Sequence, residues 1–142
     1  SGGIYPITAT LMTSELHGLF IEHPFVHIST YGGAELGCVA ALSVLDIVET
    51  PGFLERVRTL GDLFDAGLDG LPVELRRRGL FMGLRFAEAD GGLTATRSMI
   101  EHGVFAIFAN NDPSVLQFLP PLVMTDDEAG DLIDTVVAAL GA

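Results

Sequence analysis

An α+β fold is expected for most of this chain, with helices on one face of a small sheet over residues 51–142. Residues 1–50 form a preceding piece that completes no sheet of its own. Three observations lead there. The apolar period changes along the chain, from alternation to steps of three and four and back. After Thr50 the elements read helix, strand, helix, strand, strand, helix. A 142-residue chain that is 49% hydrophobic also has enough apolar side chains for one ordinary core.

Before Gly33 the sequence reads as short extended pieces, "IYPITATLMT" and "EHPFVHIST", separated by turns. From Ala34 to about Glu49, Leu36, Val39, Ala40, Val44, Ile47 and Val48 recur at helical spacing with apolar residues on most sides, which predicts a largely buried helix. Thr50-Pro51 is a helix-start signal, a capping hydroxyl followed by a proline whose missing N–H costs nothing there. Behind it Phe53, Val57, Leu60, Phe64, Leu68 and Leu71 form one stripe, ending near Gly70-Leu71-Pro72.

The glycine-bounded run Gly79 to Phe86 reads as a strand. A loop at Ala89 to Gly92 leads to a helix over Leu93 to His102, closed by Gly103. "VFAIFA" and "VLQFL" read as two strands around the turn residues Asn110 to Pro113. Thr125-Asp126-Asp127-Glu128 has the form of a capping box, opening a helix with Leu132, Ile133, Val136, Val137 and Leu140 on its apolar face.

The balance of 19 acidic against 7 basic residues, net charge −12, repels a phosphate backbone everywhere except at Arg76, Arg77 and Arg78, so nucleic acid is excluded as a partner. The longest apolar runs fall far short of the roughly 18 residues a membrane span needs. The single cysteine, Cys38, lies in an apolar helical run and reads as a buried structural thiol in a reducing, cytoplasmic setting. The first residues have neither the basic nor the apolar region of a signal peptide. All seven basic residues are arginine; the chain contains no lysine.

"HISTYGGAELGC" is the most informative stretch. Ser29 and Thr30, Tyr31 and the pair Gly32-Gly33 stand directly before a helix start. Hydroxyls and free backbone N–H groups in that position bind phosphate, and they equally form an ordinary helix-entering turn. His17, His23 and His27 lack the cysteine or carboxylate spacing of a metal site, so no metal is expected. "RRRG" reads as a solvated face countering the acidic surface, or as an anion clamp.

Taken in order, these pieces resemble the C-terminal part of the class III aminotransferases, the ornithine and acetylornithine type, which use pyridoxal 5'-phosphate. "SGGIYPITA" is similar to the segment just after the cofactor lysine, and "HPFVHISTYGGAELGCVAALSVLDIVE" to the phosphate loop and its helix. "RRGLFMGLRF" is similar to the first strand of the small domain, and "VLQFLPPLVMTDDE" to its closing motif.

The resemblance implies an α/β fold-type I fragment. Residues 1–50 would be the C-terminal piece of the large cofactor domain with a connecting helix, and residues 51–142 the small α+β domain. It further implies that Ser29 and Thr30 contact the cofactor phosphate, Thr30 that of the neighbouring subunit in a homodimer. Tyr5 and Gln117 would lie on the substrate side. The activity implied is transfer of an amino group from an amine or amino-acid donor to a keto acid. That chemistry needs a lysine to hold the cofactor and move protons, so the fragment by itself is expected to be inactive.

Five positions depart from the family pattern. Ala34-Glu35 replace Asn-Pro after the glycines, Gln117 replaces a frequent arginine, Arg77 replaces a glycine and Arg85 a glutamate. A neutral amide at 117 cannot make a bidentate, charge-assisted contact with a carboxylate. The alternative to a transaminase is a stand-alone, non-catalytic binding or interaction domain, distinguished by whether a lysine-containing cofactor domain precedes it.

Overall fold

A computed structural model describes residues 1–141 and divides the chain into two compact units, Ser1–Phe53 and Leu54–Ala142. In the first unit an extended segment leads into helix α1 (Ser14–Glu22), then turns, then helix α2 (Glu35–Val48). Helix α3 (Phe53–Leu68) opens the second unit, followed by strands β1 (Glu74–Arg78) and β2 (Phe81–Arg85) and helix α4 (Gly91–Glu101). Strands β3 (Ile107–Ala109) and β4 (Asp112–Phe118) and helix α5 (Asp126–Leu140) complete it.

The first unit corrects the sequence reading. Residues 1–5 form a turn, closed by the Ile4 N–H on the Ser1 carbonyl at 3.0 Å, and residues 6–13 belong to no strand, because the unit holds no second strand to bond them. The stretch between the two expected extended pieces, read as a turn, is instead α1, capped by the Thr13 side chain, which accepts from the Leu16 N–H at 3.4 Å. Helix α2 forms at the expected place but is not buried: Leu36, Val39, Leu42, Leu45 and Ile47 are all at least half exposed, and Gly37 is its one buried residue. Cys38 is exposed as well. An apolar sequence is buried only where other elements cover it, and α1 with one extended segment cannot enclose a 14-residue helix.

Thr50 also acts differently from expectation. Its hydroxyl donates back to the Ile47 carbonyl, closing the end of α2, so it does not cap α3.

In the second unit the four strands form an antiparallel sheet in the order β1-β2-β4-β3. "ELRRR" is a strand, of which sequence reasoning had read only the arginines, as a solvated face or an anion clamp. Strand β1 pairs with β2 across the two-residue turn Gly79-Leu80, where Gly79 takes φ +57. Its alternation sends Leu75 and Arg77 to one face and Glu74, Arg76 and Arg78 to the other. The Arg77 guanidinium lies along α3, bonded to the Asp62 and Asp65 carboxylates and 21% exposed. Hydrogen bonding to Asp65 raises its pKa; burial opposes this and Asp62 adds to it, so Arg77 stays charged at every pH where the fold survives. Gly61 makes room for that placement, since a Cβ there would lie 2.5 Å from Arg77 Nη1.

The core is the covered face of the sheet. Met82, Leu84, Leu116 and Phe118 meet Val57, Leu60, Phe64 and Leu68 of α3, Ala95 and Met99 of α4, and Ala129 and Val136 of α5, all buried. Phe64 and Phe118 pack edge to face with ring centroids 5.6 Å apart. The expected loop glycines Gly91 and Gly92 instead form the first turn of α4. A Cβ on Gly92 would lie 2.4 Å from the Val115 carbonyl carbon, and one on Gly91 2.3 Å from Phe86 Cβ. Only glycine lets the helix backbone come that close to β4.

The capping box of α5 is present as expected. Thr125 Oγ1 accepts from the Glu128 N–H at 3.2 Å, and Glu128 Oε2 accepts from the Thr125 N–H at 2.8 Å.

Two outcomes follow for stability. Phe64→Ala empties the centre of the covered face and is expected to cost about 3–5 kcal/mol by denaturant unfolding, whereas Leu42→Ala, on the exposed side of α2, should change it by less than about 0.5 kcal/mol. The Glu128 carboxyl is held below its ordinary value by the Thr125 backbone and side-chain hydrogen bonds, with burial opposing. Its contribution is therefore complete above the unfolded carboxylate pKa and lost as pH falls through the lower, folded one. Glu128→Gln, which keeps the cap without the titration, should flatten the acid limb of the stability profile measured between pH 2 and pH 5.

Candidate functional site

A cleft of about 570 Å³ lies within the first unit, walled by Tyr5 to Ala9 on one side and by Ser29, Tyr31 to Ala34, Gly37 and Cys38 on the other. The second wall is made by two successive turns. The Gly32 N–H donates to the Ser29 carbonyl at 3.4 Å, the Ala34 N–H donates to the Tyr31 carbonyl at 3.1 Å, and Gly33 takes φ +71, where other residues would be strained. These turns deliver the chain to the start of α2.

That start is open. Ala34 offers no side-chain cap, and the first intrahelical bond is from the Cys38 N–H to the Ala34 carbonyl at 3.2 Å. The N–H groups of Glu35, Leu36 and Gly37 therefore point out of the helix end without intrahelical partners. Among the described residues neither the Ser29 nor the Thr30 hydroxyl bonds to another protein group, and both residues are exposed. Free hydroxyls, free N–H groups and the positive end of a helix dipole are the donor set a phosphate requires. The first unit thus fits the phosphate end of pyridoxal 5'-phosphate. Glu35, also in the first turn, opposes an anion there electrostatically.

Tyr5 is fixed by a glycine that sequence reasoning did not single out. A Cβ on Gly37 would meet the Tyr5 ring at 3.1 and 3.2 Å and Ile7 Cδ1 at 3.1 Å, so the bare backbone of the first turn of α2 receives the ring. The available signal was a glycine within the first turn of an apolar helix.

The structure brings Tyr5 and Ser29 to one cleft, with Thr30 on the turn beside it and outside its lining. Gln117 belongs to the second unit. It is half-buried on β4, and its Nε2 donates to the Phe108 carbonyl of β3 at 3.3 Å. Among the described residues no three His, Cys, Asp or Glu side chains are grouped to hold a metal ion, and no single helix is long and apolar enough to cross a membrane.

Comparison with known proteins adds four findings. The family described as aminotransferase class-III matches residues 1–140. An uncharacterized aminotransferase of Archaeoglobus fulgidus is 41% identical over 146 residues, covering 99% of this chain and 34% of that protein. Among solved structures, an ornithine aminotransferase from Toxoplasma gondii, described with partial occupancy of PLP at its active site, superposes with a TM-score of 0.68 at 26% identity, over 86% of this chain and 30% of its own. An adenosylmethionine-8-amino-7-oxononanoate aminotransferase from Methanocaldococcus jannaschii gives 0.70 at 25% identity, over 91% and 34%. The chain spans about a third of the length of these relatives.

The Gly37 contact has a direct test. Gly37→Val should displace the Tyr5 ring, read as loss of the nuclear Overhauser contacts between residue 37 and the Tyr5 ring, with the helical shifts of α2 retained.

Proposed function

Since this chain belongs to the class-III aminotransferases, we propose that it is part of a pyridoxal-phosphate transaminase that moves an amino group from an amine or amino-acid donor to a keto acid. The observation that supports this reading is the cleft in which the unpartnered Ser29 hydroxyl adjoins an uncapped helix start, with Thr30 on the turn beside it, in a chain matched by the family over residues 1–140. When bound, the cofactor supplies an electron sink for the carbon that carries the amino group. The residues of this chain hold and orient it.

Ser29 Oγ and the N–H groups of Glu35 to Gly37 anchor the phosphate, and Thr30, which does not line the cleft, contributes its hydroxyl to the phosphate of a neighbouring subunit in a homodimer. Tyr5 stands across the cleft on the substrate side, held in place by Gly37. Gln117 would face the substrate with a neutral amide, so at that position a donor gains no charge-assisted contact for a carboxylate.

Residues 1–50 act in this reading as the end of the cofactor domain and 51–142 as the small domain. The exposed apolar faces of α1 and α2 support it, because they suit a unit packed against further protein. The setting is cytoplasmic, with small-molecule amines and keto acids as partners and neither nucleic acid nor membrane. No side chain among the 142 residues carries a lysine amine, so the group that holds the cofactor covalently and moves the proton comes from outside them. The chain by itself is inactive.

Two measurements test this reading. In the assembled, cofactor-loaded enzyme, Thr30→Val keeps the shape and removes a hydrogen bond to a charged group, so the cofactor Kd should rise about ten- to a hundredfold. A lower melting temperature with an unchanged Kd would return the segment to an ordinary turn. For the chain alone, borohydride reduction in the presence of the cofactor should leave every side chain free of pyridoxyl label by peptide mass spectrometry, with no transamination detected.

A further inference from the structure

The sheet of the second unit has a second face, which the core does not use. Strand alternation places Arg76 and Arg78 of β1, Phe81 and Gly83 of β2, and Val115 and Gln117 of β4 on it. The register makes this a grid. Arg76 stands opposite Gly83 and Gly83 opposite Gln117, while the adjoining row pairs Arg78 with Phe81. Gly83 contributes no side chain, so the middle of its row is a trough between Phe81 and Val115, part of a concavity of about 540 Å³. Strands spaced about 4.8 Å apart leave roughly 10 Å between the backbones of Arg76 and Gln117, the span of one planar ring with its substituent.

The charges along this trough are unequal. The Arg76 guanidinium donates two hydrogen bonds to the Glu74 carboxylate, at 2.8 and 2.9 Å, and Arg85 reaches the same carboxylate at 3.4 Å. Arg78 makes no hydrogen bond or ion pair among the described residues, although the chain carries 19 acidic residues. Beside this free guanidinium stands Phe81, 68% exposed. A planar cationic fork next to an aromatic wall and a glycine floor suits a carboxylate on an apolar body.

We propose that this trough binds a small apolar or aromatic carboxylate, its oxygens held by Arg78 and its body lying over Gly83 between Phe81 and Val115. Gln117 uses one amide hydrogen on Phe108 and turns the other toward the ligand. The trough lies in the second unit, but it shares Gln117 with the proposed function and at that residue rests on that reading; the Thr30→Val test reports on the first unit, so the two can fail separately.

Titration of the 142-residue chain with benzoate, followed by amide chemical shifts, tests it. The Gly83 and Gln117 amides should shift saturably. Arg78→Gln should weaken binding by about tenfold or more, as loss of a hydrogen-bonded charge does. Gly83→Leu should abolish binding by filling the trough. Benzamide, of the same shape without the charge, and inorganic phosphate, charged without the apolar body, should each bind at least about tenfold more weakly. Unchanged benzoate affinity in Arg78→Gln would overturn the proposal, whether or not Gly83→Leu folds. Equal binding of benzamide or phosphate, or shifts confined to the first unit, would overturn it too.

Discussion

The closeness of α4 to β4 governs the second unit. At Gly92 the helix backbone comes so near the strand that a Cβ would stand 2.4 Å from the Val115 carbonyl carbon and 2.5 Å from its oxygen, and Gly91 is as close to Phe86. With the helix at that distance, Ala95 and Met99 reach the covered face and bury fully beside Leu116. Helix α5 then fits against α4, its Ala139 carbonyl taking the Ser98 hydroxyl at 2.6 Å. Helix α3 closes the layer through Phe64 on Phe118 and through Gly67, where a Cβ would collide with Ile133 at 2.5 Å. Close-packed interiors gain dispersion contacts at each such approach, and they tolerate no added atom there.

The first unit uses the same device for a different end. Gly37 lets the Tyr5 ring settle on the first turn of α2, which sets one wall of the cleft, but no third layer follows. The apolar residues of α1 and α2 consequently remain exposed, and the polar donors at the helix start remain unpartnered. The core of the second unit is satisfied internally, with no buried side-chain polar atom lacking a partner among the described residues. The first unit carries unsatisfied donors at its surface, the condition for holding an anion.

Arginine does three distinct jobs in a chain of net charge −12. Arg77 lies over Gly61 and ties β1 to α3 through Asp62 and Asp65. Arg56 ties α3 to the start of α5, bonding the Met124 carbonyl at 2.9 Å and Asp126 at 2.6 Å. On the open face Arg76 and Arg85 converge on Glu74. Such half-exposed pairs add little stability one by one. They do fix which face of β1 is which, since a one-residue slip would turn Arg77 away from its two carboxylates.

Sequence by itself determined the parts whose signals are local. The stripe of α3 and the Thr125–Glu128 box of α5 depend on residues within a few positions of one another, and the structure has them where the pattern placed them; the turn between β3 and β4 is shorter than expected, Asn110-Asn111, with Asp112 and Pro113 already in β4. The hydroxyl-glycine stretch was likewise legible as a turn entering a helix, which the structure has. What only the tertiary structure decided depends on partners distant in sequence. Whether α2 and Cys38 are buried depends on what covers them, and within this unit too little does. "ELRRR" becomes a strand because β2 offers it a ladder and α3 offers Arg77 two carboxylates, neither visible in the five residues themselves. Gly91 and Gly92 look like a loop until β4 arrives against them. Local chemistry proposes an element; burial, pairing and close approach between distant residues decide which proposals the fold keeps.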